Sequence, residues 1–180
     1  MASEEKRCVG RGVIAGILGG LVASWVMNRF IEGPAQELQR AVQTTAERAE
    51  ADRQAKEQEG KPREDATMKT AAALAKTFTG RDLTFEQKKV GGPIVHYAFG
   101  ALMGGLYGAA AEVLPEAQSG FGTVFGAALF AGADLVAVPK LDLSGATGEY
   151  PISALTAPFT AHLVYGATTE LVRRAVRPLL

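Results

Sequence analysis

The chain has 180 residues, with 19 basic and 19 acidic side chains, and 47% of its residues are hydrophobic. This length suits a single domain, and the net charge of zero, without a basic patch interleaved with aromatic residues, gives no support to nucleic-acid binding. The one cysteine, Cys8, excludes an internal disulfide framework and supplies no metal cluster.

The charged residues are unevenly distributed along the chain. Four runs of 17 to 22 residues contain no Asp, Glu, Lys or Arg. About 20 apolar residues span the hydrocarbon core, with about 17 as the lower limit, so all four runs qualify as transmembrane helices. Four buried helices of a soluble bundle are the alternative, but such helices normally have a charged outer face. We therefore predict one all-α membrane domain over residues 1–180, an integral four-helix bundle with transmembrane helices at about 12–32, 90–114, 119–138 and 150–172.

The first predicted span follows basic residues and resembles a signal peptide, with Val22-Ala23-Ser24 as a weak cleavage site. Against cleavage, the apolar run continues through Met27, and the helix shares a pattern of small residues with the other spans. We interpret it as a retained helix that ends at Gly33-Pro34, since proline cannot continue a helix.

Residues 33–89 contain 11 Lys/Arg and 10 Asp/Glu and few large apolar side chains. This composition predicts a polar helical insert at about 35–80, outside the bilayer, either solvated or partly disordered before residue 60. Its second part places Met68, Ala71 and Phe78 on one face. That spacing predicts a short amphipathic helix on the membrane surface or against the bundle.

An even number of spans places both termini on the same side of the membrane. Basic residues precede helix 1 and close helix 4, where they are Arg173, Arg174 and Arg177. The positive-inside rule then predicts cytoplasmic termini and an extracytoplasmic insert, although the lysines of the insert favour the opposite orientation.

Each predicted span carries small residues at every fourth position, and each row leads to an acidic residue. Such rows allow close backbone approach between helices in lipid, where hydrophobic association is weak. The residues expected to pack in this way include Gly16, Gly20, Gly100, Gly104, Gly108, Gly122, Gly126 and Gly166. The similarity of YGAAAE (107–112) to YGATTE (165–170) indicates that helices 2 and 4 are corresponding members of two hairpins.

The acidic residues and the two histidines in these helices are the candidate polar, ion-binding or partner-binding residues. One interpretation pairs the acids with neighbouring bases, for example Glu170 with Arg173 or Arg174. The other assigns them to a cation or proton site, or to a partner's basic group. Two of the acids cannot form an ion pair along their own helix, because they have no Lys or Arg within four residues. The candidates are Glu32, His96, Glu112, Asp134, His162 and Glu170, and the two acids without a nearby base are Glu112 and Asp134.

Bis-histidine haem ligation is the most specific alternative for His96 and His162. Their depths along helices 2 and 4 differ by roughly 9 Å at 1.5 Å per residue, so hydrogen bonding to a neighbouring helix is preferred. We expect no cofactor and no metal.

Two spacings carry a resemblance to a known family. The pattern H-x15-E-V-L-P runs from His96 to Pro115, and H-L-V-x5-E-x2-R-R runs from His162 to Arg174. Both are similar to the YagU-type bacterial inner-membrane proteins. The resemblance implies a multi-spanning protein of the bacterial cytoplasmic membrane, with a loose association with acid resistance and no assigned catalytic residues. The charged insert departs from that family pattern.

We expect a non-enzymatic accessory or structural subunit of a larger membrane assembly, since the sequence has no nucleophile motif, phosphate loop or metal-ligand cluster. Its partners would be the lipid bilayer and other membrane subunits, or further copies of itself. A proton or cation transporter that uses the membrane Glu and His residues is the alternative, and a haem-binding subunit is a weaker one.

Overall fold

The structure is a computed structural model, and it describes residues 9–60, 62–143 and 151–180. Within these ranges every regular element is helical, which confirms the all-α class. The α-helices are α1 (Val9–Ile31), α2 (Pro34–Val42), α3 (Thr45–Glu57), α4 (Ala66–Thr79), α5 (Phe85–Val113), α6 (Thr123–Gly132), α7 (Val138–Lys140) and α8 (Thr156–Val176). A π-helical turn (Ala133–Ala137) joins α6 to α7, and 3₁₀ turns cover Pro115–Gly122, Ile152–Leu155 and Arg177–Leu179.

Three helical segments in the described part of the chain are long and apolar enough to cross a membrane: Val9–Ile31, Phe85–Val113 and Pro115–Lys140. The fourth predicted span forms a helix, α8, of 21 residues, but it is not one of the three. Polar side chains within α8, among them His162 and Glu170, lower its mean hydropathy. The start of that predicted span, at residue 150, lies outside the described residues.

Helix α5 begins at Phe85, five residues before the predicted start, because a capping arrangement starts it there. The backbone N–H of Thr84 donates to the Gln87 side chain at 2.9 Å, and the N–H of Gln87 donates to the Thr84 hydroxyl at 3.3 Å. These reciprocal bonds satisfy two N–H groups that the first turn of a helix leaves unpaired. A polar turn therefore precedes the apolar part of α5.

Helix α6 begins at Thr123, four residues after the predicted start of the third span at about residue 119. Gly120, Phe121 and Gly122 all have positive φ values of 61°, 54° and 80°. An α-helix needs negative φ, so this left-handed stretch separates the tight turn after α5 from α6. Gly122 therefore lies in the turn before α6.

The chain divides into two compact units, each assembled from separate segments. The described part of unit 1 comprises residues 9–29, 97–129 and 162–180, and it contains portions of α1, α5, α6 and α8. The described part of unit 2 comprises residues 30–60, 62–96, 130–143 and 151–161, and it contains α2, α3 and α4.

In unit 1, α1 contacts α5 through their glycines. A Cβ atom built on Gly16 would overlap the carbonyl oxygen of Gly104, and one built on Gly104 would overlap that of Gly16. Gly12 and Gly108 show the same reciprocal relation one turn away. The two backbones are therefore in direct contact, and any side chain at these positions would separate them.

The contact between α6 and α8 repeats this arrangement within unit 1. A Cβ atom on Gly126 would overlap the carbonyl oxygen of His162, and Cβ atoms on Gly122 and Gly166 would each overlap the other residue's carbonyl oxygen. Gly122 and Gly166 thus correspond to Gly12 and Gly108. The predicted correspondence of α5 with α8 is therefore matched by equivalent contacts.

Unit 2 contains the polar insert. Helix α4 contacts the start of α5, where Cβ atoms built on Gly91 and Gly92 would meet the side chains of Ala71 and Met68 at 2.9 Å. Met68 and Ala71 are buried, as the amphipathic pattern predicts. Phe78, predicted on the same face, is 81% exposed, because the α5 contact covers only the first half of α4.

Candidate functional site

Two acidic residues, Glu112 and Glu170, mark the candidate site in unit 1. They occupy equivalent positions near the C-terminal ends of α5 and α8, each five residues after a buried tyrosine, Tyr107 or Tyr165. Helical geometry turns the small residues of each row toward the neighbouring helix, and the same row continues to the acid. The acids are therefore directed into helix contacts of unit 1.

Glu170 is completely buried and accepts hydrogen bonds from three side chains. The Tyr107 hydroxyl donates to Oε2 at 2.8 Å. The Arg173 guanidinium binds in bidentate fashion, with Nε at 2.7 Å from Oε2 and Nη2 at 3.0 Å from Oε1. Arg174 Nε also donates to Oε1. The predicted pairing of Glu170 with its neighbours is confirmed, and it involves both arginines at once.

Glu112 is bound by arginines from α8 and from the turn that follows it. Arg177 donates from Nε and Nη2 to the two carboxylate oxygens of Glu112, both at 2.9 Å. Arg173 Nη1 lies 3.8 Å from Glu112 Oε1, so the Arg173 side chain bridges Glu112 and Glu170. The missing base near Glu112 in the sequence is therefore supplied by a segment 65 residues away.

Gly12 of α1 completes the surroundings of Glu112. A Cβ atom built on Gly12 would overlap the Glu112 side chain, in addition to the Gly108 carbonyl oxygen. Only glycine leaves room here for the carboxylate together with the backbone contact. The row of small residues on α1 thus accommodates the acid on α5.

The outer edge of the site is formed by Arg174, whose side chain is 50% exposed. Its guanidinium lies over the Phe121 ring, 4.8 Å from the ring centre, and its Nη2 is 3.4 Å from Gln118 Oε1. Gln118 in turn donates to the carbonyl oxygen of Ala111 at 3.0 Å. The turn between α5 and α6 is therefore tied to α8.

These contacts define the carboxylate–arginine cluster: Glu112, Glu170, Arg173, Arg174 and Arg177. Three guanidinium groups against two carboxylates leave a net charge of +1. Each carboxylate oxygen accepts from at least one guanidinium N–H, so the acids are occupied as acceptors. In the described ranges, no group of three His, Cys, Asp or Glu side chains is arranged to hold a metal ion.

The structure does not bring the remaining candidates into this cluster. His162 is buried in unit 1, where its backbone carbonyl contacts Gly126. Glu32, His96 and Asp134 belong to unit 2. Glu32 is exposed, whereas His96 and Asp134 are half-buried.

Sequence reasoning missed Tyr107 as a partner of Glu170 and Arg177 as a partner of Glu112. One signal for the arginines was available: Arg173, Arg174 and Arg177 fall on one face of the helix end. The positions equivalent to them after Glu112 are Pro115, Glu116 and Ser119, so only one of the two matching helices has bases. No signal in the sequence identified the long-range Tyr107 contact.

In the described part of the chain every regular element is helical, and three helices are long and apolar enough to cross a bilayer, which indicates a membrane protein. Residues 38–171 match the model of a family described as protein of unknown function (DUF1440), and the chain belongs to that family. Helix α1 and the three arginines of the cluster lie outside the matched residues. Comparisons with curated proteins and with solved structures found no match.

Proposed function

We propose that this protein is a non-enzymatic structural subunit of a larger membrane assembly, held in the bacterial inner membrane by four spanning helices, as in the YagU-type proteins. The observation that carries this proposal is the pairing of both buried carboxylates, Glu112 and Glu170, with arginines of the same chain. Ion pairs of this kind neutralise charges that would be costly in lipid, and they hold helices in one register. A cluster that fixes the packing of helices suits a structural subunit.

Transport of protons or cations is the competing function. It would require Glu112 or Glu170 to exchange its guanidinium partners for the transported ion during each cycle. For Glu170, that exchange would break hydrogen bonds from Arg173, Arg174 and Tyr107 together. Removing a partner from a buried ion pair costs about 3–5 kcal/mol, which weighs against rapid exchange.

The surface proposed for docking is α3 in the polar insert. None of its 13 residues is buried, and acidic and basic side chains are interspersed along the helix. A capping box at Thr44 and Glu47 starts the helix, so it does not depend on a hydrophobic face. A solvated helix of this kind is available to the polar surface of a neighbouring subunit.

The test is purification of the tagged full-length protein from native membranes in a mild detergent, with its partners quantified by mass spectrometry. We expect membrane subunits at a fixed stoichiometry, lost in a variant with Glu50→Arg and Glu57→Arg on α3. A matched control with Asp82→Arg and Glu86→Arg has the same charge change and should retain them. Purification as a lone oligomer that conducts protons or cations in liposomes, with the flux lost in Glu112→Gln or Glu170→Gln, would overturn the proposal.

A further inference from the structure

A polar groove lies between α2 and α3 in unit 2, away from the carboxylate–arginine cluster. Its volume is about 670 Å³. The polar side chains that line it come from α2 and the residue that follows it, from α3 and from the segment that precedes α4, and six of them are Gln36, Gln39, Arg40, Gln43, Arg48 and Arg63. Three guanidinium groups and three amides therefore surround one space.

The charge of this groove is not balanced by the protein. Asp52 is the one acidic residue in its lining, so three arginines against one aspartate leave a net charge of +2. Within the described part of the chain, none of Arg40, Arg48 and Arg63 forms an ion pair. By contrast, Arg53, two turns after the start of α3, pairs with Glu50. The groove thus gathers three arginines that form no ion pair with the described residues.

Arginine forms paired N–H···O bonds to the oxygens of carboxylates and phosphates, and glutamine amides add further donors. Positions 36, 39 and 40 lie in α2 and Gln43 directly follows it, and these four positions share one face at 3.6 residues per turn. The lining therefore has the chemistry of a site for an oxyanion.

The place of α2 in the chain identifies the source of that anion. Helix α1, at about 1.5 Å per residue, is long enough to cross the roughly 30 Å hydrocarbon core. Pro34, the first residue of α2, follows Ile31 by three residues, a distance of at most about 11 Å along the chain. Helix α2 therefore begins at the level of the lipid headgroups when α1 spans the membrane.

The outer face of α2 fits the same position. Leu38 and Val42 are one turn apart and are exposed to 46% and 57%. They lie on the side of α2 opposite the groove residues, so α2 is amphipathic, with apolar and polar faces. A helix of about 10 Å diameter whose apolar face rests at the acyl boundary has its polar face among the headgroups.

We propose that this groove binds the phosphate of an anionic lipid headgroup, with Arg40, Arg48 and Arg63 as its cationic ligands and α2 lying in the membrane interface. Gln39 and Gln43, both half-buried, donate from their amides to the same phosphate. The site is independent of the proposed structural role of the carboxylate–arginine cluster. It also differs from a diffuse basic patch, because the cations of three separate segments converge.

The experiment uses the full-length protein in dodecylmaltoside micelles, titrated with dihexanoyl phosphatidylglycerol, dihexanoyl phosphatidylcholine or inorganic phosphate, with binding read by microscale thermophoresis. Basic residues near a membrane surface contribute about fivefold each to anionic-lipid affinity. We therefore expect phosphatidylglycerol to bind saturably, and the variant with Arg40→Gln, Arg48→Gln and Arg63→Gln to lose affinity on the order of 100-fold. Phosphatidylcholine should bind at least tenfold more weakly than phosphatidylglycerol, because choline cancels the phosphate charge.

The matched control carries Arg53→Gln, Lys56→Gln and Arg81→Gln, which remove the same charge outside the groove. It should retain affinity within about fivefold, the contribution of a single base. All six positions are exposed, and circular dichroism verifies that both variants keep the helical content of the wild type. Equal losses in the two variants would overturn the site in favour of diffuse attraction. Equal affinity for inorganic phosphate would assign the groove to a soluble anion and overturn the lipid assignment.

Discussion

The carboxylate–arginine cluster makes a quantitative prediction about Glu170 and Arg173. Both side chains are buried, and two hydrogen bonds of 2.7 and 3.0 Å join them. Removing one member of a buried ion pair leaves an uncompensated charge, at a cost of about 3–5 kcal/mol. Glu170→Leu should reach that range, because it leaves Arg173 with only the longer 3.8 Å contact to Glu112 and leaves the Tyr107 hydroxyl without its acceptor. Arg173→Met should fall at its lower end, since Arg174 still binds Glu170.

The double variant and a control separate pairing from simple loss of packing. Replacement of a buried ion pair by apolar side chains of similar size is often neutral. Glu170→Leu combined with Arg173→Met should therefore be less destabilised than the sum of the single variants, with a coupling free energy of about 2 kcal/mol. Arg174→Gln is the control, because its half-exposed side chain contributes about 1 kcal/mol or less.

The measurement is equilibrium unfolding in mixed dodecylmaltoside and SDS micelles, followed by far-ultraviolet circular dichroism. The free energies of unfolding of the four variants are compared with that of the wild type under one buffer condition. If Glu170→Leu costs no more than Arg174→Gln, or if the double variant loses the full sum of the single ones, buried pairing does not stabilise this end of unit 1.

Two further predictions concern a glycine contact and a helix cap. Gly16→Ala should destabilise the protein by about 1–3 kcal/mol in the same unfolding assay, because the added Cβ overlaps the Gly104 carbonyl oxygen and separates α1 from α5. Gly10→Ala is the matched control on α1, because a Cβ atom at Gly10 meets no other atom within 4 Å. This variant should be neutral or stabilised by up to about 1 kcal/mol. An equal loss of unfolding free energy in the two variants would contradict the contact between Gly16 and Gly104. Hydrogen bonds from the Thr44 backbone, the Thr44 hydroxyl and Ser153 lower the pKa of Glu47 in the folded protein. A carboxylate with a lowered pKa in the folded state stabilises the fold above its unfolded pKa, about 4.3 for glutamate. This stabilisation is lost as the pH falls from that value through the lower pKa of the folded state. Amide hydrogen exchange at the start of α3, corrected for its intrinsic pH dependence, should therefore show a loss of protection in acid in the wild type. The Glu47→Gln variant should not show this acid-dependent loss. An identical acid response in both proteins would refute the role of Glu47.

Features that depend on residues close together along the chain were predictable from the sequence. The charge-free runs predicted α1, α5 and the Pro115–Lys140 segment, because the length and hydropathy of a span are local properties. The pairing of Glu170 with Arg173 and Arg174 followed from the helical period, since residues three and four apart share a face.

A local signal accounts for the start of α5 but not for the start of α6. The reciprocal bonds of Thr84 and Gln87 place the start of α5 earlier than hydropathy alone predicts, because capping does not depend on apolar residues. The delayed start of α6 follows from the left-handed residues at Gly120–Gly122, for which Phe121 gives no sequence signal.

The contacts between side chains that are distant in the sequence depend on how the helices pack. Glu112 has no base nearby in the sequence, and its partner Arg177 is 65 residues away. The bond from Tyr107 to Glu170 spans 63 residues, and the α2–α3 groove gathers arginines from three segments. Hydropathy and helical period specify the face on which each side chain lies, but the partner of that face depends on how the helices pack. That packing follows from backbone contacts such as Gly12 with Gly108, which bring α5 and its acid against α1.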